Sequence, residues 1–412
     1  MARSRRSDGY RSFQYLEAGT DYRAFELAPQ VGRTEGEAVP LDEEGEARAE
    51  RLAGELPMIA FHEHAGLFPA DISETPEYIR QGRMSTAFEG LAASHWDAVF
   101  DNLTDGICQI QSKSGWKWDE VLYDLGMRLC DLRHQDFVKV AGSVEDMESA
   151  WENDQVAWIP SIEGAAMIEN EVDRIEILYG FGVRVLGVTY SEANALGSGL
   201  KEPRDGGLTA FGRKAVERMN KVGMLIDCSH AGDRTTLDTV EVSEQPVVLT
   251  HIGARSLWDS KRLAPDEVLE AVAESGGVIG IEAAPLTTLT ASRPQHDIES
   301  VMEHFRYVEE LVGIDHVTLG ADTVYGDHVG LHEVYAEGLS LEESKQAAGE
   351  EEESGSGEAA RYREVPHVRG IENPTEAASS FLRWLVREGY SDEEIAKVTG
   401  GNVLRVLREV WA

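Results

Sequence analysis

Most of the chain after residue 57 alternates short apolar runs with longer stretches in which apolar residues recur at three- and four-residue steps. Short apolar runs of this kind predict buried β-strands, and the stretches between them predict helices. The eight runs are residues 57–64, 105–112, 155–164, 183–190, 223–230, 246–253, 276–283 and 316–323. Strands that alternate with helices predict an α/β protein, and eight of them predict a (β/α)8 TIM-type barrel.

One helix between the fourth and fifth runs can be placed with its boundaries. Phe211, Ala215, Met219 and Val222 recur at helical spacing, and Gly223 follows them. This spacing puts the four apolar side chains on one face, and glycine is common just past the last turn of a helix. The pattern predicts an amphipathic helix that leads into the fifth strand.

The two ends of the chain and one internal segment have a different composition. Residues 1–50 mix glycine, arginine and acidic residues. They predict an N-terminal extension, a surface arm that finishes in a solvated helix, before a barrel domain at 51–412. Residues 341–365 are acidic and of low complexity, which predicts a surface insertion. Two closing helices are expected after it, the first ended by Gly389 and the second interrupted by the glycine pair that starts at Gly400.

Charge narrows the possible partners of this 412-residue chain. Asp and Glu number 75 against 38 Lys and Arg, which gives a formal net charge of -37 at pH 7. Such a field repels phosphate backbones and anionic lipid, so nucleic-acid binding is excluded and no membrane partner is expected. The acidic excess is spread along the chain and lysine is scarce, which predicts a halophilic protein whose charges are screened by salt.

Cysteine usage and hydropathy indicate the compartment. Cys108, Cys130 and Cys228 are too few and too scattered for a disulfide framework. The N-terminal residues contain no apolar signal region, and no apolar stretch reaches the roughly 20 residues of a membrane span. We therefore expect a cytoplasmic protein.

Polar residues gather at the C-terminal ends of the predicted strands, where barrels of this type build their active sites. The first run ends in His62, Glu63 and His64, and alternation along a strand points the two histidines to one side and Glu63 to the other. Further candidate residues stand at the ends of four other runs, namely Glu163, His230, His251 and Asp322. Four additional histidines are expected at the surface or behind the site, namely His304, His316, His328 and His332.

This convergence predicts a metal centre. A single histidine at a strand end is more often a hydrogen-bonded core residue, but several together are best satisfied by a shared cation. Imidazole and carboxylate ligands suit zinc, and manganese, iron or cobalt would also fit. Because the set exceeds the three ligands of a single catalytic zinc, we predict two divalent metal ions bridged by Glu163. Two ions can activate one water molecule, and Asp322 is predicted to carry its proton to the leaving group.

The chain also resembles a known family. Residues 207–230 and 246–269 are similar to the membrane (renal) dipeptidases, zinc hydrolases of the amidohydrolase-like barrel class, nearly position for position. The motifs SIEGAAMIE, TLGADT and GGNVLRVL extend the resemblance over residues 57–412. It implies a metal-dependent hydrolase that cleaves the amide bond of a dipeptide or a similar small carboxylated amide, and a possible homodimer.

The resemblance also assigns roles to single residues. It implies that His62 binds the first metal, that His230 and His251 bind the second, that Glu163 bridges them, that Asp322 is the catalytic aspartate and that Arg262 binds the substrate carboxylate. His64 stands where the family usually has aspartate, and it is still expected to bind metal. Tyr190 replaces a histidine that contacts the substrate, and is predicted to act in binding and catalysis.

One further departure concerns the substrate. Ala283, beside the acidic Glu282, stands where the family has an aromatic residue. An amidohydrolase acting on another small amide or on a lactone is therefore an alternative. A metal-stabilised binding protein without turnover is a third hypothesis, and the presence of Asp322 argues against it because binding alone needs no proton carrier.

Overall fold

Parallel strands form the centre of the structure, a computed structural model that describes residues 7–81, 83–103, 117–338 and 365–411. Within these residues the strands are β1 (Ile59–Leu67), β2 (Ala98–Leu103), β3 (Val138–Val140), β4 (Val156–Ile162), β5 (Val185–Gly187), β6 (Leu225–Asp227), β7 (Val247–Ile252), β8 (Ile279–Ile281), β9 (Val317–Leu319) and β10 (Val324–Tyr325). Their order in the sheet is β10-β1-β2-β4-β5-β6-β7-β8-β9, and β3 pairs with β4 outside this path.

The last two strands close the sheet into a barrel. Leu319 of β9 pairs with β8, whereas Val324 of β10 pairs with His64 of β1. Between these two pairings, the backbone N–H of Asp322 donates to the carbonyl of His62 at 3.1 Å. β9 and β10 are thus two parts of one interrupted strand that joins β8 to β1, and the predicted barrel is confirmed.

Helices follow the strands and cover the outside of the barrel. In the described ranges they are α1 (Glu43–Glu55), α2 (Thr75–Ile79), α3 (Phe88–Ala93), α4 (Trp118–Leu132), α5 (Val144–Glu152), α6 (Arg174–Gly180), α7 (Ala210–Val222), α8 (Asp233–Val242), α9 (Asp266–Glu274), α10 (Ile298–Val312), α11 (His328–Gly338), α12 (Pro374–Arg387), α13 (Asp392–Ala396) and α14 (Asn402–Val410). Short 3₁₀ turns lie at Ile72–Glu74, Ala166–Ile168 and Ile314–His316. Among these helices none is long and apolar enough to cross a bilayer.

The predicted strands and the observed ones differ next to β1. The second predicted run, 105–112, lies outside the described residues, and the strand beside β1 is β2. β2 contains Asp101 and Asn102, both buried, which interrupt its apolar pattern. Each of the other predicted runs contains a strand of the barrel. β3 and β10, of three and two residues, were not predicted.

The predicted amphipathic helix is α7. Ala215 and Met219 are fully buried in the core, and Phe211 and Val222 pack against it. Gly223 has a positive φ of 76°, and its N–H bonds to carbonyls of the last turn. Because a side chain is strained in that conformation, glycine ends the helix as expected.

The N-terminal extension is packed against the barrel, although its sequence predicted a surface arm. Tyr10 donates its hydroxyl hydrogen to Asp131 Oδ1 at 2.7 Å, and the N–H of Phe13 donates to the same oxygen at 2.9 Å. Farther along, Arg383 Nε of α12 donates to the carbonyl of Val39 at 2.8 Å. Both parts of the extension are therefore tied to the rest of the fold, and the predicted helix is α1.

The last helix, α14, covers the end of the barrel opposite the predicted site. Gly389, with a φ of 82°, follows α12, and a π-helical turn at Lys397–Gly401 separates α13 from α14. A Cβ atom on Gly400 would lie 2.8 Å from the carbonyl of Pro57, so this turn approaches the start of β1 closely. The interruption predicted at the glycine pair is confirmed. The predicted acidic insertion at 341–365 lies, except for Val365, outside the described residues.

Candidate metal centre and active site

Two pairs of histidines meet at the C-terminal ends of the strands. His62 and His64 on β1 form the first histidine pair, with ring centroids 5.2 Å apart. His230, after β6, and His251, on β7, form the second histidine pair, and their Nε2 atoms are 2.9 Å apart. The pairs adjoin, because the rings of His62 and His251 have centroids 3.5 Å apart. All four residues are buried, and all four were predicted metal ligands.

Glu163 lies between the two histidine pairs. Its Oε1 is 3.8 Å from His62 Nε2 and 3.6 Å from His64 Nε2. Its Oε2 is 3.2 Å from His230 Nε2 and 3.9 Å from His251 Nε2. One carboxylate oxygen therefore faces each pair, which is the arrangement of a bridging ligand.

The backbone at Glu163 is in close contact with the neighbouring strand. A Cβ atom on Gly187 of β5 would lie 1.7 Å from the carbonyl oxygen of Glu163. Only glycine permits this approach, and it places the end of β4 where the Glu163 side chain reaches both histidine pairs.

Asp322 stands beside the first histidine pair, in the break between β9 and β10. Its Oδ1 lies 2.9 Å from His64 Nε2 and 3.5 Å from His62 Nε2. Its φ of 53° is in the left-handed region, which aspartate tolerates better than most residues. Glu63 points away from the histidines, as predicted, and accepts hydrogen bonds from the N–H and hydroxyl of Thr323, each at 2.7 Å.

The ionisation of the site suits metal binding. Burial lowers the pKa of His62, His230 and His251, which favours the neutral imidazole that binds metals. Burial opposes the charge on His64, but the nearby carboxylates Asp322 and Glu163 prevail and raise its pKa to about 9. The buried carboxylates thus keep a proton on His64. A metal cation bound to the ring could take the place of that proton.

The donor atoms also fit divalent cations in number and position. His62, His64 and Asp322 form one group, and Glu163 with the second histidine pair forms another, with the ligand atoms of each group within 4.8 Å of one another. Within the described residues, the buried His62 Nε2 makes no hydrogen bond. Buried nitrogens rarely lack a hydrogen-bond partner, and a metal ion bound by the first group would give His62 Nε2 a partner.

A hydroxyl that the sequence analysis did not single out orients two of the ligands. Thr250 Oγ1 donates to Asp227 Oδ2 at 2.8 Å and lies 3.1 Å from His62 Nδ1 and 2.9 Å from His251 Nδ1. Because its hydrogen is used by Asp227, the hydroxyl accepts from both rings. This fixes the hydrogens on Nδ1 and leaves each Nε2 free to bind a metal.

Asn102 supports the first histidine pair in the same way. Its backbone carbonyl lies 3.1 Å from His64 Nδ1, and its side-chain Nδ2 lies 2.9 Å from His62 Nδ1, a position that the amide oxygen occupies when the group is turned by 180°. In the orientation that turns the amide oxygen toward the ring, Asn102 also accepts the Nδ1 hydrogen of His62. The sequence contained a signal for these supporting residues, because Asn102 and Asp227 are polar residues inside otherwise apolar runs.

The two predicted substrate-binding residues lie beside the second histidine pair. The ring of Tyr190 stacks on His230, with centroids 4.2 Å apart and an interplanar angle of 24°. Arg262 donates from Nη1 to the carbonyl of Ser229 at 3.0 Å and from Nη2 to the carbonyl of His251 at 3.2 Å. The structure thus brings every predicted site residue to one end of the barrel.

Glu282 joins this site as well. It is fully buried at the end of β8, and its carboxylate contacts Nη2 of Arg262. A carboxylate oxygen of Glu282 also lies within 4.8 Å of the ligand atoms of His251 and Asp322. Burial raises the pKa of Glu282 to about 8, although Arg262 opposes the rise.

Two of the four additional histidines, His304 and His328, are buried rather than exposed. His304 accepts the N–H of Ala254 at Nδ1 and donates from Nε2 to the carbonyl of Leu289, at 3.0 and 2.8 Å. As a neutral imidazole, His304 therefore joins the loop that follows β7 to the loop that follows β8. His328 is buried on α11, with its ring centroid 5.0 Å from that of His332.

A family comparison agrees with this geometry. Residues 46–336 and 361–412 match the family described as membrane dipeptidase (Peptidase family M19). The chain belongs to the membrane dipeptidase family. The resemblance inferred from the sequence motifs is therefore confirmed.

Individual members of the family differ from this chain in length. Dipeptidase tcpJ of Claviceps purpurea is 28% identical over 290 residues, which are 70% of this chain and 58% of that protein. Dipeptidase 3 of Homo sapiens is 26% identical over 399 residues, 92% of this chain and 69% of the human protein. An uncharacterized protein in the pqqA 5' region of Klebsiella pneumoniae is 32% identical over 277 residues, which are 65% of this chain and 88% of the Klebsiella protein. This chain thus spans little more than half the length of the fungal relative.

Solved structures have the same fold. An amidohydrolase from Pseudomonas aeruginosa superposes with a TM-score of 0.68 at 23% identity, over 88% of this chain and 99% of that one. A metallopeptidase from Rhodobacter sphaeroides gives a TM-score of 0.65 at 19% identity, over 86% of this chain and 99% of the Rhodobacter chain. That structure is liganded with a phosphinate mimic of the dipeptide L-Ala-D-Ala. Similarity at this level shows that this membrane dipeptidase family member has their barrel fold.

Proposed function

We propose that the protein is a metal-dependent hydrolase that cleaves the amide bond of dipeptides or of similar small carboxylated amides, with two divalent metal ions, zinc first among them. The observation that carries the proposal is the position of Glu163, whose two oxygens face the two histidine pairs. A carboxylate in this position can bridge two ions.

Each metal position has its own ligands. His62, His64 and Asp322 would hold one ion, His230 and His251 the other, and Glu163 would contact both. Ions bound there supply Lewis-acid chemistry, which polarises a scissile carbonyl and lowers the pKa of water. The buried surroundings strengthen these electrostatic effects because little solvent is present to screen them.

Asp322 is proposed as the proton carrier. Burial disfavours its charge, but the imidazoles of His62 and His64 outweigh burial and lower the pKa of Asp322 well below its usual range. An ionised carboxylate beside the first histidine pair can take a proton from the attacking water and deliver it to the leaving amine. Tyr190, stacked on His230, is proposed to offer its hydroxyl to the substrate carbonyl, in place of the histidine usual in the family.

A second candidate function is favoured by the contact between Arg262 and Glu282. The family arginine is predicted to bind a free carboxylate, but a buried acidic group already contacts it here. An uncharged small amide or a lactone would not need this guanidinium. Hydrolysis of such a substrate is therefore the alternative activity at the same metal centre.

Metal analysis and turnover test the proposal together. Protein purified in molar KCl and loaded with zinc should contain two ions per chain and should hydrolyse members of a panel of dipeptides. The Asp322→Asn variant keeps the shape, an oxygen that can still contact the first ion and the tolerance of the left-handed backbone. It should therefore retain metal, but it cannot carry the proton and should lose about 100-fold or more in kcat. Zinc-loaded protein that cleaves none of the dipeptides would refute dipeptide hydrolysis, and cleavage of lactones alone would establish the second candidate.

A further inference from the structure

Glu63 lies between the two residues of the first histidine pair but points to the other side of β1. Its side chain is fully buried, and Oε1 accepts both the N–H and the hydroxyl of Thr323, each at 2.7 Å. Thr323 is also buried, and it comes directly after Asp322. Glu63 therefore binds the residue next to the proposed proton carrier, in the break between β9 and β10.

The backbone of this break is joined to β1 on both sides of Glu63. The N–H of Asp322 donates to the carbonyl of His62 at 3.1 Å, and the N–H of His64 donates to the carbonyl of Thr323 at 3.2 Å. Both bonds are longer than the two bonds to Glu63, and neither involves a side chain. The contacts of Glu63 are thus what this sequence adds to the backbone pairing.

The added contacts matter because the backbone of Asp322 is strained. Its φ of 53° lies in the left-handed region, and strained conformations persist only where the surrounding structure holds them. Rotation to an ordinary φ would move the carboxylate, whose Oδ1 lies 2.9 Å from His64 Nε2. A shift of about 1 Å in a reacting group can cost about 100-fold in rate. A hydrolase at this site would therefore need to hold Asp322 in this conformation.

The contact between Glu63 and Thr323 does not depend on the charge of Glu63. Burial raises the pKa of Glu63 to about 8, although the bonds from Thr323 oppose the rise. A proton would lie on Oε2, which makes no hydrogen bond within the described residues, and Oε1 accepts from Thr323 in either state. Glutamine keeps this oxygen, whereas methionine fills a similar space with only a weakly accepting sulfur.

We propose that Glu63 is a positioning residue, which holds Asp322 in its left-handed conformation and so sets the place of the Asp322 carboxylate beside the first histidine pair. This role rests on the proposed hydrolysis at the metal centre, in which Asp322 contacts one ion and carries the proton. The strand that supplies two metal ligands on one side thus positions the proton carrier from its other side.

Two matched threonine variants test the role without turnover. Thr323→Val removes the hydroxyl that donates to Glu63, and Thr318→Val removes a buried hydroxyl of β9 that donates to the carbonyl of Val398 at 2.7 Å, away from the site. Each variant loses one buried bond of the same length, so both should melt at a lower temperature. In equilibrium dialysis, Thr323→Val alone should bind zinc about tenfold more weakly at the position of the first histidine pair.

Two variants of Glu63 test the carboxyl oxygen itself. Glu63→Met leaves both hydrogens of Thr323 without a strong acceptor, and in saturating zinc it should lose about 100-fold in kcat while KM changes little. Glu63→Gln keeps the oxygen and should recover most of the zinc affinity and of kcat. A residue that only stabilised the fold would change the melting temperature and leave zinc affinity and kcat near native.

Three results would overturn the positioning role. They are equal zinc affinities in Thr323→Val and Thr318→Val, native zinc affinity and kcat in Glu63→Met, and a Glu63→Gln variant no better than Glu63→Met. If Glu63→Met does not fold, the threonine pair still decides the role. Because zinc binding is measured without turnover, native protein that cleaves no dipeptide would refute the proposed hydrolase and leave the test of Glu63 intact.

Discussion

Replacing Thr250 with valine should weaken both metal positions at once. The Thr250 hydroxyl accepts from His62 in the first histidine pair and from His251 in the second, and it donates to Asp227. Valine keeps the branched shape but has no hydroxyl. The two imidazoles then lose the contact that holds each hydrogen on Nδ1, while Asp227 loses a donor.

The size of the effect can be worked from these contacts. Thr250 is 2% exposed, so water does not replace the lost bonds readily. A buried donor left without an acceptor costs about 1–3 kcal/mol. This cost applies to His251 Nδ1, whereas the Nδ1 hydrogen of His62 keeps Asn102 as an acceptor. The position held by His251 should therefore bind zinc about 10- to 100-fold more weakly, which is the usual effect of removing a residue that orients a metal ligand, and the position held by His62 should weaken less.

Equilibrium dialysis against a graded series of zinc buffers measures both affinities directly. Thr250→Ser is the matched control, because it removes only a methyl group and should keep both affinities near native. Unchanged zinc binding by Thr250→Val would show that the hydroxyl does not set the tautomers. Greater weakening at the position held by His62 would show that Asn102 does not accept from that ring.

Three further outcomes are expected. Glu163→Gln should bind fewer zinc ions per chain, since a neutral amide bridges two cations poorly, and full occupancy by metal analysis would remove the bridging role. The net charge of -37 predicts a higher melting temperature in molar KCl than in dilute buffer, and equal values would reject the halophilic interpretation. Burial lowers the pKa of His304 from 6.5 to about 4, so the unfolded chain takes up the proton first and stability is lost as the pH falls below 6.5. Between pH 6.5 and 5 the free energy of unfolding should drop by about 2 kcal/mol more in native protein than in His304→Asn, measured by urea denaturation, and parallel curves would contradict this.

The site could be predicted because one rule of barrel architecture gathers strand ends that are far apart in sequence. His62 and His251 lie on β1 and β7, and Glu163 follows β4. Each was identified from an apolar run that ends in ligand residues. Nothing more than strand order was needed to expect them together. The family motifs then supplied Arg262, which no local pattern distinguishes from a surface arginine.

Residues whose partners are distant could not be predicted in this way. β2 was missed because Asp101 reads as a polar surface residue, yet its Oδ2 binds Arg128 Nη1 at 2.8 Å and Trp158 Nε1 at 2.7 Å. The contact of Arg262 with Glu282 depends on side-chain directions that strand periodicity does not give. The cytoplasmic location and the homodimer remain predictions.

The break between β9 and β10 has a consequence for folding. Asp322 lies in the segment that closes the barrel, whereas His64 lies on the first strand, 258 residues earlier. A zinc ion shared by these two residues would join the first and last strands, much as a cross-link would. The complete ligand set exists only after the last strand has docked, so metal should slow unfolding while leaving the folding rate little changed. Recovery of zinc binding during refolding would then report the closure of the barrel itself.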